Sequence, residues 1–206
     1  MKIAAEALPF ALAIAAASVV AAVLLHPLAG VAGLPVLAFV LWFFRDPERS
    51  TPPDPTSLVS PADGRIIRAG PERVSIFMGL FDVHVCRAPA AGRLESVEHR
   101  PGRFLAAFKD RASEQNERVS IVMGSAGGPL RFSLVAGLVA RRIVCKVSAG
   151  QQLAAGQRVG LIRFGSRVDV DLPPGAEATV ACGDRTVAGQ TRIARLAPAS
   201  ASPAGD

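Results

Sequence analysis

A chain of 206 residues has room for one domain with an appendage, and enough length to bury a core. Its net charge of +6 and pI of about 10.2 suit an anionic partner. No Tyr, one Trp, no lysine-rich run and no recognisable binding motif argue against nucleic acid, which leaves an anionic membrane surface. The three cysteines, Cys86, Cys145 and Cys182, are odd in number and form no CxxC or Cys/His cluster. They support neither a disulfide framework nor a metal site, and are read as reduced, buried thiols of a cytosolic compartment.

Residues 7–25 and 27–44 carry no charge, and each run is near the length a helix needs to cross a bilayer's hydrocarbon. His26-Pro27 separates them, as a turn or a helix start. Trp42 stands where an interfacial anchor belongs, before Arg45-Asp46-Pro47-Glu48-Arg49 returns to charge. Residues 1–44 are therefore expected to form a membrane-associated helical hairpin. A signal sequence is disfavoured by Glu6 and by the second apolar run, and a buried soluble hairpin is the remaining alternative. The short link puts both hairpin ends on one side, and Lys2, Arg45 and Arg49 place that side in the cytoplasm by the positive-inside bias.

Residues 45–57 read as a Pro-rich linker, stiffened by Pro52, Pro53 and Pro55. A β domain is expected over residues 58–196. Strand signals fall at 65–69, 73–78, 83–87, 94–100, 118–123, 130–135, 142–147, 158–164, 168–172, 179–182 and 191–196, punctuated by Gly and Pro. Residues 104–113 alone suit a short helix, and the Ala/Ser/Pro/Gly-rich tail, 197–206, reads as disordered. Turn-rich units around Val59-Ser60-Pro61-Ala62-Asp63-Gly64 and over residues 147–160 resemble the hairpins of lipoyl- and biotinyl-carrier domains. The fold class is mainly β: a barrel- or sandwich-like domain with lipoyl-like hairpin units, preceded by an N-terminal hydrophobic helical hairpin.

Within that domain, residues 158–172 alternate apolar and other side chains on both sides of Gly165-Ser166, predicting two half-buried strands with a break between them. Glycine lets another group approach its carbonyl, and the following serine hydroxyl is within reach of that carbonyl. The pair is able to attack itself, although an isolated Gly-Ser is more often a bulge or tight turn. Asp63, in a Pro-Ala-Asp-Gly turn, and His84, between Val83 and Val85 in a strand, are the other polar residues that stand out. A Ser, a His and an Asp far apart in sequence converge in many sites to activate a hydroxyl. Singly, Asp63 reads as a turn residue and His84 as a structural one.

Six blocks carry a resemblance. They are Phe43-Phe44-Arg45-Asp46-Pro47-Glu48-Arg49, Ser60-Pro61-Ala62-Asp63-Gly64, Phe81-Asp82-Val83-His84-Val85-Cys86-Arg87-Ala88-Pro89, Ala112-Ser113-Glu114-Gln115-Asn116-Glu117-Arg118, Ala136-Gly137-Leu138-Val139-Ala140-Arg141-Arg142-Ile143 and Arg163-Phe164-Gly165-Ser166-Arg167-Val168-Asp169. In this order they resemble the phosphatidylserine decarboxylase proenzymes of the short, pyruvoyl-dependent type. The resemblance implies autocatalytic cleavage at Gly165-Ser166, with Ser166 converted to a covalent pyruvoyl group that serves as the cofactor. It implies that Asp63 and His84 activate Ser166. The product chains would stay together as a heterodimer, with further homo-oligomerisation left open. The implied reaction is decarboxylation of phosphatidylserine to phosphatidylethanolamine at the cell membrane, with the catalytic domain on the cytoplasmic side. One departure is Arg87, where long members of the family carry a second histidine. If that histidine is the base in those forms, its role falls here to His84.

Two rivals remain in view. A membrane-tethered, non-enzymatic adaptor with a lipoyl-like domain would not need Gly165-Ser166, Asp63 and His84 together, and Lys146 lacks the neighbours of a carrier lysine. A serine hydrolase using Ser166 would lack the GxSxG elbow.

Overall fold

The computed structural model describes residues 2–108, 112–138, 142–163 and 165–197. They fall into two compact units, Met1–Glu48 and Arg49–Asp206. In the first, β1 (Lys2–Ile3) and a 3-10 turn (Ala5–Ala7) lead into α1 (Leu8–Leu24), followed by α2 (Pro27–Val31), α3 (Gly33–Phe43) and β2 (Arg45–Asp46). Pro27 starts α2, and the His26 imidazole accepts from the Leu28 amide at 3.2 Å, capping it. The helices close on each other through small residues: a Cβ on Gly30 would lie 2.7 Å from the Ala22 Cβ, and one on Gly33 would overlap the Ser18 hydroxyl. Helices in lipid use this contact, because they have no hydrophobic force of their own to bring them together. Val19, Val23, Leu24, Leu28 and Leu34 are exposed around them. The helix over Ala5–Leu24 is long and apolar enough to cross a membrane, and Pro27–Phe43 is shorter. β1 pairs antiparallel with β2, and Lys2 meets Glu48 at 2.9 Å, so the expected hairpin has both ends on one side.

The second unit contains β3 (Ser57–Val59), β4 (Gly64–Ala69), β5 (Arg73–Met78), β6 (Val85–Arg87), β7 (Gly92–Arg100), α4 (Ala112–Gln115), β8 (Arg118–Ser125) and β9 (Gly128–Val135). It continues with β10 (Ile143–Cys145), β11 (Gln152–Leu153), β12 (Arg158–Ile162), β13 (Ser166–Asp171), β14 (Glu177–Ala178), β15 (Arg185–Thr186) and β16 (Arg192–Arg195). An eight-stranded sheet runs β11-β7-β8-β9-β13-β5-β4-β15, beside three-stranded sheets β10-β12-β6 and β14-β16-β3. Period-2 alternation builds the core. Ile76, Ile121, Phe132, Leu134 and Val168 of the large sheet pack in one cluster with Cys86, Val159 and Ile162 of the second and Leu58 and Ile193 of the third. Burying a large apolar side chain of this kind contributes about 1.5–3 kcal/mol. The large sheet ends at β11 and β15 without closing, so of the two expected forms the domain is sandwich-like.

Residues 179–182, expected as a strand, are not one. The Asp184 carboxylate accepts from the Ala181 amide at 2.8 Å and the Asp184 amide donates back to the Ala181 carbonyl at 3.2 Å, which makes a turn there. The short helix expected within 104–113 lies at Ala112–Gln115, because Phe104 and its successors run as loop; residues 109–111 are outside the described set. So is the expected disordered tail beyond Ala197. Of the three thiols, Cys86 is buried, Cys145 half-buried and Cys182 exposed, which corrects the expectation for the last.

Candidate active site

Two strands change sheet together at one corner of the second unit. β5 and β13 are neighbours in the large sheet, with Ser166 opposite Met78, while β6 and β12 are neighbours in the three-stranded sheet, with Val85 opposite Leu161. The ribbon bends between those pairs, through residues 79–84 on one strand and at Arg163 and Gly165 on the other. The Ile162 amide donates to the His84 carbonyl at 3.2 Å and holds the bends together. Sheet-switching corners are made in this way, by bends and bulges. The pairing therefore carries His84 and Ser166 to the same corner.

The longer bend is closed by Asp82. Its carboxylate accepts from the Gly79 amide at 2.8 Å and its amide donates to the Gly79 carbonyl at 3.2 Å. This turns Phe81 outward, 71% exposed, and carries His84 inward to full burial. The His84 Nδ1 lies 2.8 Å from the Asp82 carbonyl oxygen. A carbonyl only accepts, so Nδ1 carries a proton, and in a neutral ring the lone pair is then on Nε2.

Ser166 opens β13 and is fully buried. Its hydroxyl donates to the Met78 sulfur at 3.3 Å, a weak acceptor that leaves the oxygen's lone pairs available. Gly165 has a φ of 63°, in the left-handed region, and no atom beyond its chain neighbours lies within 4 Å of where a Cβ would stand. Glycine answers the backbone's need here. The break expected at Gly165-Ser166 therefore exists, but β12 stops at Ile162, Phe164 is outside the described residues, and β13 begins at Ser166 itself.

Neither strand is half-buried as its alternation predicts. The polar positions of β13 are themselves enclosed. Arg167 Nε meets Asp169 at 2.6 Å, with Ser75 and Ser113 completing the cluster at 2.9 and 2.7 Å. On that face lies a polar cleft of about 270 Å³ whose Arg73, Arg118 and Arg131 are balanced by Glu98, Asp169 and Asp171. Ser166 alternates with Arg167 and points to the other face, into the core.

Asp63 precedes β4. Arg65 pairs with Phe77, so Asp63 stands beside the end of β5, two strands from Ser166. At about 4.8 Å per strand their backbones are roughly 10 Å apart. Arg49 Nη2 reaches one Asp63 oxygen at 2.9 Å, and the Ala188 amide donates to the other at 2.7 Å. The negative charge of Asp63 is felt at Cys86, whose thiol is pushed well up, first by burial and then by that charge. Cys86 in turn lies against the His84 carbonyl, its Sγ 3.9 Å away. Thus Asp63, His84 and Ser166 belong to one end of the sheet. Arg87 has a different role, since its guanidinium donates to the Gly156 carbonyl at 3.0 Å and braces the neighbouring turn.

Met78 and Arg49 carried no local signal as site neighbours. A methionine in a strand reads as core, and an arginine after an apolar run reads as a membrane-flanking charge.

Residues 36–194 match the family model described as phosphatidylserine decarboxylase. The chain is 43% identical over 199 residues to the phosphatidylserine decarboxylase proenzyme of Solibacter usitatus (strain Ellin6076), covering 95% of this chain and 97% of that protein. The chain is a decarboxylase, and the non-enzymatic adaptor is not favoured. It belongs to the phosphatidylserine decarboxylase family.

Proposed function

We propose that the chain cleaves itself between Gly165 and Ser166, converts Ser166 to a pyruvoyl group and decarboxylates phosphatidylserine to phosphatidylethanolamine. The observation that carries this reading is a fully buried Ser166 directly after a left-handed Gly165, at the same corner as His84. A buried hydroxyl is open to an internal electrophile and closed to lipid, which suits self-cleavage before substrate turnover. In the first step the Ser166 oxygen bonds to the Gly165 carbonyl carbon, its proton passes to a base and the Gly165–Ser166 amide becomes an ester. His84, with its lone pair on Nε2, is that base, and Asp63, anchored by Arg49, supplies negative charge nearby. Elimination then removes the Ser166 Cα proton, breaks the Cβ–O bond and releases the upstream chain as a carboxylate. The dehydroalanine left behind takes up water and loses ammonia, which gives the pyruvoyl group.

The site fits the group: Ser166 Oγ is held only by a thioether among the described residues, and no atom stands within 4 Å of where a Cβ on Gly165 would lie. The pyruvoyl group supplies an electrophilic carbonyl that takes up the electron pair left when carbon dioxide departs. In this reading His84 returns a proton to the product. The chains 1–165 and 166–206 stay associated as a heterodimer, because the smaller one contributes β13 between β9 and β5, β15 beside β4, and β16 beside β3. Cutting one peptide bond leaves those ladders intact. The hydrophobic arm keeps the catalytic unit at the membrane that holds its substrate, on the cytoplasmic side by the charges of Lys2, Arg45 and Arg49.

Intact mass of denatured protein tests the first half of the proposal, and carbon dioxide release from phosphatidylserine the second. Two chains, the smaller blocked at its N-terminus, and lipid-dependent release are expected. A folded, cleaved protein that releases none would overturn the substrate assignment.

A further inference from the structure

The Ala136–Ile143 block contributes no group to the reaction described so far. β9 pairs with β13 in the register Arg167↔Val135. Continued by two residues, that register sets Gly137 opposite Gly165. The two glycines do meet: a Cβ on Gly137 would fall at bonding distance from the Gly165 carbonyl oxygen and 2.7 Å from its carbonyl carbon. Gly137 has no left-handed φ, so alanine fits its backbone and only this contact forbids one. The carbonyl that touches it is the one that Ser166 attacks.

The loop bearing Gly137 is held by a buried asparagine. Asn116, 1% exposed, donates from Nδ2 to the carbonyls of Ala136 and Leu105 at 2.8 Å each, and accepts from the Leu105 amide at 2.8 Å. An amide that gives two bonds to carbonyls and takes one from an N–H has its orientation settled. The Ala136 amide is pinned as well, to the Glu117 carbonyl at 2.9 Å. A loop tied on both sides of Ala136 presents the bare Cα of Gly137 as a fixed wall.

We infer that Gly137, held by Asn116, is the seat for the Gly165 carbonyl oxygen and aims its carbon at Ser166 Oγ during self-cleavage. The inference rests on the cleavage reading above. In the step concerned, the Oγ–C bond forms, the proton goes to His84 and the electron pair of the C=O bond moves to the seated oxygen. Collapse then re-forms the C=O bond and breaks the C–N bond while His84 returns its proton to the leaving nitrogen, giving an ester and the Ser166 amine. Gly137 and Asn116 are positioning residues, since neither exchanges a proton or forms a bond.

The test follows processing of the full-length chain by intact mass, with and without hydroxylamine, which cleaves the ester and leaves amides intact. Gly137→Ala displaces the carbonyl by about 1 Å and is expected to slow processing by about 100-fold. Hydroxylamine should not restore cleavage, because no ester forms, and the thermal transition should match that of uncleaved Ser166→Ala. Processing within threefold of wild type overturns the inference, as does an accumulated ester that hydroxylamine releases. If Gly137→Ala loses its cooperative transition, Asn116→Ala decides: the loosened loop should slow processing about tenfold, and the wild-type rate would overturn the inference. A wild-type chain that never cleaves would instead remove the cleavage reading itself.

Discussion

Glycine stands on both sides of the carbonyl proposed to react, for different reasons. Gly165 needs a left-handed φ, whereas Gly137 needs the absence of a Cβ. Gly165→Ala should therefore cost roughly 1–2 kcal/mol of stability and slow processing, as urea unfolding and a mass time course would read. Ser166→Ala removes the nucleophile and should stay full length, and a cleaved Ser166→Ala protein would sink the mechanism. His84→Ala and Asp63→Ala should slow processing, since one removes the base and the other the anchored carboxylate. If both matured at the wild-type rate, their roles would belong to a later step. The buried thiols add a pH dependence. Burial raises Cys86 and Cys145 from an ordinary 9.0, so above that pH the unfolded chain sheds protons that the folded one keeps. The unfolded state then binds fewer protons, and stability is expected to fall as pH rises past 9.0. Cys86→Ala should flatten that slope, as denaturant melts at several alkaline pH values would show.

At the scale of the element, β13 carries both the proposed nucleophile and a sealed ion pair. Arg167 and Asp169 are 2% and 5% exposed in their side chains, so neither charge is relieved by water. Arg167→Met leaves the carboxylate uncompensated and should cost about 3–5 kcal/mol, while replacing both residues by apolar ones should cost much less. The Arg73–Asp171 pair at the far end of the same strand is about a third exposed, at 33% and 31%. Its loss should cost no more than about 1 kcal/mol. Urea midpoints of the three variants rank these effects. An Arg167→Met protein as stable as wild type would mean that Asp169 finds another partner.

At the scale of the molecule, the proposed function gives the two units separate roles. All the groups assigned to self-cleavage belong to the second unit, and the apolar helices belong to the first. Removing residues 1–44 should leave processing intact by mass. It should reduce activity on phosphatidylserine in bilayers far more than on detergent-dispersed lipid. Equal loss on both substrates would make the arm a folding element rather than a membrane anchor.

Much was readable from local pattern because local pattern reports burial. The apolar runs before Arg45 predict the hairpin, and the alternation at residues 73–78 and 118–123 predicts β5 and β8, since side-chain periodicity follows the face that is buried. The left-handed turn at Gly165 was also marked locally, by a glycine at a break in alternation. The enclosure of Arg167 and Asp169 was not, since polar residues at alternate positions read as a wet face until other strands cover them. Cys182 was misread in the opposite sense, its apolar neighbours lying on an exposed turn. The meeting of Gly137 with Gly165, and of the His84 bend with Ile162, depends on which strands become neighbours and in what register. Distant residues make those pairings by sharing one core, so the strands were visible in the sequence, while the corner that holds the site was decided by the tertiary structure.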